Sequence, residues 1–244
     1  MTQYNEIGIN SELDWPRIRK LLCIGLVASA MVFVGDMMLG YGAWDPGLTG
    51  LAQRLDTYGK LPDSTLFWSA LLGFIGIPLE GLSYFGIYRL MAKSSPRHAH
   101  AYRAGIFGYL MFGGCGVHVP CLMAVFVYKS VLPQGMEAAV QQTVRFGQYF
   151  LLPGIVAFLI FYLVLCAAQI SAFTKGLTPY PKWCWVFSLP VGMGCTMLVK
   201  LAGNNALAHG LMAAWISIGN LWMFGGLLVM MEKVRSKEEP NEGQ

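Results

Sequence analysis

The chain is expected to fold as an all-α, polytopic integral membrane helix bundle of six transmembrane helices, with both termini cytoplasmic. Three observations carry that expectation. Hydrophobic residues make up 55% of the 244 residues and charged residues 12%, with a mean hydropathy of +0.51. An average soluble domain has roughly 45–50% and about 25%. Six apolar stretches are each near the length needed to cross a hydrocarbon core about 30 Å thick, which takes about 20 helical residues. Lastly, Lys and Arg are distributed unevenly between alternate loops.

Taken in order, the first span covers residues 21–41 and follows Arg17, Arg19 and Lys20. Its apolar run exceeds the 7–15 residues or so of a signal-peptide core, which predicts a permanent helix. The second covers 66–90, the third 102–128 and the fourth 146–173, all strongly apolar. The fifth, 183–201, is the shortest, and the sixth runs from 206 to 231. Residues 1–18 and 233–244 flank a transmembrane domain of residues 19–232, and the polar tail is expected to fray. With the N-terminus inside, twelve Lys and Arg fall on the inner side and five on the outer side, which predicts an even number of crossings. A bacterial cytoplasmic membrane is the expected location.

The net charge of +4 is therefore a topology signal, and no basic soluble module exists that would bind nucleic acid. All six cysteines lie in or beside spans, which argues against an extracellular disulfide framework. Expected partners are membrane lipids and a lipid-like or amphiphilic substrate. The sequence specifies neither a cofactor nor an oligomeric state.

Candidate chemistry comes from polar groups at membrane depth, where an ionisable side chain costs kilocalories and usually faces a protein interior or a hydrated cavity. Of 13 acidic residues, only Asp36 and Glu80 sit well inside apolar runs, and the only histidines there are His118 and His209. Counting along each span puts all four in the middle-to-outer half. Gly73, Gly76, Ser83 and Tyr84 share the face of Glu80, a small and polar surface suited to helix contact. Pro78 frees a carbonyl one turn before it. On the sixth span His209, Ala213, Ile216 and Asn220 fall on one face, after the turn Gly203-Asn204-Asn205.

The expected catalytic set is thus Asp36, Glu80, His118 and His209, with Tyr84, Asn204, Asn205 and Asn220 binding substrate. Two carboxyls in differently hydrated surroundings suit a general acid and a general base. The histidines would relay a proton or hold a metal that activates water. Blander roles compete at each position: an interfacial acid at Asp36, a helix cap at His209, turn and cap residues at Asn204 and Asn205. Cys115, His118 and Cys121 lie along one side of a helix without forming a standard metal motif, so no metal ligand is assigned. A haem between His118 and His209 would need equal depths, and theirs differ.

Hydrolysis or isomerisation of a lipid or other amphiphile is the chemistry this set suits best. The alternatives are a proton-coupled small-molecule transporter, for which Pro78, Pro120, Pro153 and Pro190 would supply broken helices, and a lipid- or cofactor-binding protein without turnover. All require side chains from spans one, two, three and six to converge.

Overall fold

Helix α1 (Trp15–Gly40) starts where Asp14 accepts a hydrogen bond from the Arg17 amide at 3.0 Å and Pro16 occupies the first turn. A short helix, α2 (Gly50–Gly59), at the end of the bundle that the charge distribution assigns to the outside, hereafter the outer end, leads to α3 (Asp63–Ala92). The chain was obtained as a computed structural model, which describes residues 13–42, 44–45, 47–203 and 205–238. No strand occurs among these residues. Helices α1 and α3 pack antiparallel through small residues: a Cβ on Gly35 would lie 3.2 Å from the Ser69 carbonyl, one on Gly76 2.4 Å from Val32, and one on Gly86 3.2 Å from Leu21. Close backbone approach of this kind replaces the hydrophobic drive that lipid surroundings remove.

Two long helical runs follow. Residues Pro96–Gln134 comprise α4 (Pro96–Phe112), a π-helical turn (Gly113–His118), α5 (Val119–Val131) and a short 3-10 turn. Residues Met136–Thr174 comprise α6 (Met136–Phe146), a second π turn (Gly147–Leu151) and α7 (Leu152–Thr174). Each π turn precedes a proline at the second helical position, Pro120 and Pro153. Neither proline can donate the α-helical bond to the residue four before it, and a widened turn accommodates the missing donor. The two turns meet where a Cβ on Gly154 would stand 2.0 Å from the Gly116 carbonyl oxygen. Pro78, by contrast, leaves α3 continuous.

Each run has 39 residues, about 58 Å at 1.5 Å per residue, so both project beyond a bilayer core. At the outer end the projections join α2 in a cap, where Leu55, Tyr128 and Ala139 are buried together. Gly135, at φ +119, makes the hairpin between α5 and α6, and Gly176, at φ +71, ends α7. There the Leu177 amide bonds back to the Ala172 carbonyl, satisfying the final turn.

Among the described residues five helices are long and apolar enough to cross a membrane, and the bundle is that of a helical membrane protein. The fifth expected span differs. Residues 182–202 form a 3-10 turn, the short α8 (Leu189–Thr196) and another 3-10 stretch. The hydropathy pattern does not register such breaks. This segment still runs from one end of the bundle to the other, since Tyr180 packs near Trp15 and α9 (Ala206–Ala213) packs on Gly40. The sixth span is likewise divided, into α9 and α10 (Trp215–Glu238), and α10 continues as helix through 233–238, which the sequence placed in a frayed tail. An ion pair of 3.6 Å between Arg19 and Glu232 brings the described ends of the chain to the same end of the bundle.

Candidate functional site

A cavity of about 930 Å3 occupies the outer half of the bundle, at the upper end of the usual ligand-pocket range. Asp36, Glu80, His118 and His209 all line it, from four different helical runs. Its floor is Glu80, Tyr109 and Phe158. Below them Tyr84, Tyr102, Ile87, Met91 and Phe224 are fully buried, so the inner half is packed solid.

At the centre, Asp36 Oδ2 accepts a hydrogen bond of 2.6 Å from the Ser217 hydroxyl. Its Oδ1 stands 3.8 Å from His118 Nδ1. The other ring nitrogen of His118, Nε2, lies 3.1 Å from the Ser69 carbonyl. A carbonyl can only accept, so Nε2 carries a proton and Nδ1 of the neutral ring presents its lone pair beside Asp36. Gly73 makes this possible: a Cβ there would stand 2.0 Å from Nε2, and the ring lies against the bare backbone. The π turn adds a residue to the helix just before His118 and so sets the ring's direction.

Glu80 sits deeper. The α1–α3 register, with Gly76 opposite Ala28 and Val32 and Gly86 opposite Ile18 and Leu22, sets residue 80 level with about residue 26 of α1. That is ten residues from Asp36, about 15 Å of helix rise. Oε2 accepts from the Tyr109 hydroxyl at 2.5 Å. Asn220 Nδ2 donates to that phenol oxygen at 3.3 Å and Asn220 Oδ1 accepts from Tyr84 at 2.6 Å, so a buried chain of polar side chains supports the carboxyl from below. Oε1 has no hydrogen-bond partner among the described residues. The nearby Ser29 hydroxyl donates instead to the Gly25 carbonyl.

Towards the outer rim, His209 stacks on Trp44 with ring centroids 3.6 Å apart, and its Nδ1 lies 3.4 Å from the Gly42 carbonyl. Arg54 and Tyr58 of α2 complete the rim. Burial pushes the Tyr58 phenol above its ordinary value, against the pull of Arg54, so it stands there as a neutral donor.

The structure redistributes the substrate-binding expectation. Tyr84 and Asn220 do not line the cavity and instead brace Glu80 through Tyr109. The face drawn through span six holds for His209, Ala213 and Ile216 but not for Asn220, because the helix breaks between α9 and α10. Asn205 caps α9, accepting from the Ala208 amide at 2.9 Å, and Asn204 lies outside the described residues. The four ionisable groups form a column spread in depth along the cavity. Among the described residues no three of His, Cys, Asp and Glu gather as metal ligands, and Cys115 is exposed. Tyr109, Ser217, Trp44 and Arg54 were not anticipated. A phenol or hydroxyl in an apolar helix reads as ordinary until its partner on another helix is known.

Searches of curated proteins and of solved structures found no match to this chain. A family match covers residues 4–234, and on it the chain belongs to a family of unknown function, DUF6796.

Proposed function

We propose that the protein is a membrane-embedded enzyme that carries out acid–base chemistry, of hydrolase or isomerase type, on an amphiphile received in the outer-half cavity. The observation that carries this reading is the Asp36–His118 pair, held from both sides by Ser217 and Ser69. Two polar atoms 3.8 Å apart leave room for one further oxygen about 2.8 Å from each, on the cavity side. Water or a substrate hydroxyl placed there gives its proton to His118 Nδ1. The Ser69 carbonyl orients the ring through Nε2, and Asp36 balances the imidazolium that forms. The proton then passes to the leaving oxygen, which restores the neutral ring. Positioned general-base action of this kind is worth about 10²–10⁴-fold in rate.

The expected pairing of Asp36 with Glu80 gives way in this reading to Asp36 with His118. Carboxyls carried by residues about 15 Å apart in helix rise serve two parts of one ligand, not one reacting atom. The cavity depth matches the outer part of a bilayer, and the basic residues at the other end of the bundle favour that end facing the cytoplasm.

The test is turnover. Purified protein in nanodiscs, incubated with a pool of lipids and single-chain amphiphiles, is expected to convert a member of the pool to products seen by mass spectrometry. Asp36→Asn and His118→Gln should each abolish conversion while keeping the thermal midpoint. Conversion that survives both substitutions would sink the reading. The paired π turns beside the cavity favour a second reading, transport, because such turns concentrate where helices rearrange. Flux of an unaltered amphiphile into proteoliposomes is its signature.

A further inference from the structure

The floor of the cavity poses a chemical question that the Asp36–His118 pair does not answer. Glu80 is 1% exposed and lines the cavity, and Tyr109 holds one of its oxygens while Oε1 has no partner among the described residues. No Lys, Arg or His among the described residues forms an ion pair with it. A buried carboxyl with no countercharge rests neutral, and it ionises only when a ligand in the cavity supplies both a countercharge and a donor.

A protonated amine meets both, as a donor to Oε1 and as a countercharge. The walls agree. Tyr109 and Phe158, with ring centres 5.7 Å apart, line the cavity with Glu80 and are of the residue type that attracts a cation. Above them Val32, Ile77, Val117 and Ile216 line the path towards Asp36 with apolar surface. The only arginine among the lining residues, Arg54, is exposed on α2 at the opposite end. The cavity is thus acidic at depth and basic at the rim.

We infer that the ligand of this cavity is an elongated amphiphilic amine that enters amine first from the outer side, its ammonium group bonded to Glu80 Oε1 and its reacting bond level with Asp36 and His118. The two side chains lean towards each other from their helices, which leaves roughly 10 Å between the anchor and the reacting pair. A membrane phospholipid, whose tails would point inwards, is the wrong way round for this floor. The inference rests on the cavity being the substrate site proposed above, and it names the substrate class.

Binding of n-octylamine and n-octanol to the protein in zwitterionic nanodiscs, with empty nanodiscs as background, tests it by calorimetry. The amine is expected to bind about tenfold tighter or more than the alcohol of equal length, as a desolvated charge pair requires. Glu80→Gln should bring the two affinities together, and Asp36→Asn should preserve the preference. Equal affinities in the unsubstituted protein overturn the inference, and that comparison needs no variant to fold. A preference that survives Glu80→Gln overturns it too. Amine preference without turnover of any amphiphile would sink the enzyme reading alone, whereas turnover of neutral amphiphiles without amine preference would sink only this inference.

Discussion

Replacing Gly73 with Ala should displace His118 and leave the bundle otherwise intact. The added methyl would fall 2.0 Å from Nε2, 2.3 Å from Cδ2 and 2.5 Å from Cε1 of the ring, well inside van der Waals contact. Overpacking absorbed by shifted backbone and off-rotamer neighbours costs about 1–3 kcal/mol. The ring has somewhere to go, however, because it borders the cavity. Swinging outward relieves the clash and forfeits the hydrogen bond to the Ser69 carbonyl, a net loss of about 0.5–1.5 kcal/mol. Stability should therefore fall by about 1 kcal/mol. Turnover should fall about a hundredfold, the usual consequence of moving a reacting group by an ångström or more. Nitrogen-15 spectra of histidine-labelled protein report the change directly, since the His118 Nε2–H tautomer is fixed only while Ser69 accepts from it. Gly194→Ala, at a position with no neighbouring atom within 4 Å, is the matched control. An alanine at 73 that leaves both the His118 resonances and turnover unchanged would refute the placement of the ring.

Other perturbations separate the scaffold from the site. Ser217→Ala removes the donor to Asp36 and should lower stability by about 1 kcal/mol while reducing turnover more than ligand affinity, measured by comparing kcat with KM. Gly154→Ala sets a methyl against the Gly116 carbonyl, backbone that cannot swing away, so thermal unfolding should show a loss of about 3 kcal/mol or more with the two π turns forced apart. Lys129 of α5 donates to the Leu61 carbonyl at 2.6 Å and pairs with Asp63, tying the outer cap to the start of α3. Lys129→Met should speed amide exchange over residues 56–63 with a stability change below about 1 kcal/mol, and unaltered exchange there would show that the tie does not hold the cap.

The spans and the four ionisable residues were legible because both are one-dimensional signals. A run of apolar residues gives a helix its length, and a lone charge within it stands out by cost. Partnership is not one-dimensional. Asp36 and Ser217 are 181 residues apart, and nothing local in GDMML or AWISIG marks them as a pair. Tyr84 and Asn220 had the right chemistry and the wrong assignment, because a small rotation about a helix axis decides whether a polar group lines a void or braces its floor. Counting residues along the spans put Asp36 nearer the outer end than Glu80, and the α1–α3 glycine contacts fix a register that separates the two by about ten residues.

The broken crossing at 182–202 bears on how the protein is made. The apolar helix there, Leu189–Val199, covers about 16 Å at 1.5 Å per residue, far short of a hydrocarbon core, and the stretches on either side are 3-10 turns with poorer hydrogen bonding. Left alone among lipids, such a segment exposes backbone that nothing satisfies. Its partner is α10: Gly192 and Gly219 bring the two backbones together, and Trp222 donates to the Val186 carbonyl at 2.7 Å. During synthesis the segment emerges before the helix that completes it. It must therefore wait at the membrane surface or in the insertion machinery until α10 arrives, and the pair enters the bilayer as a hairpin.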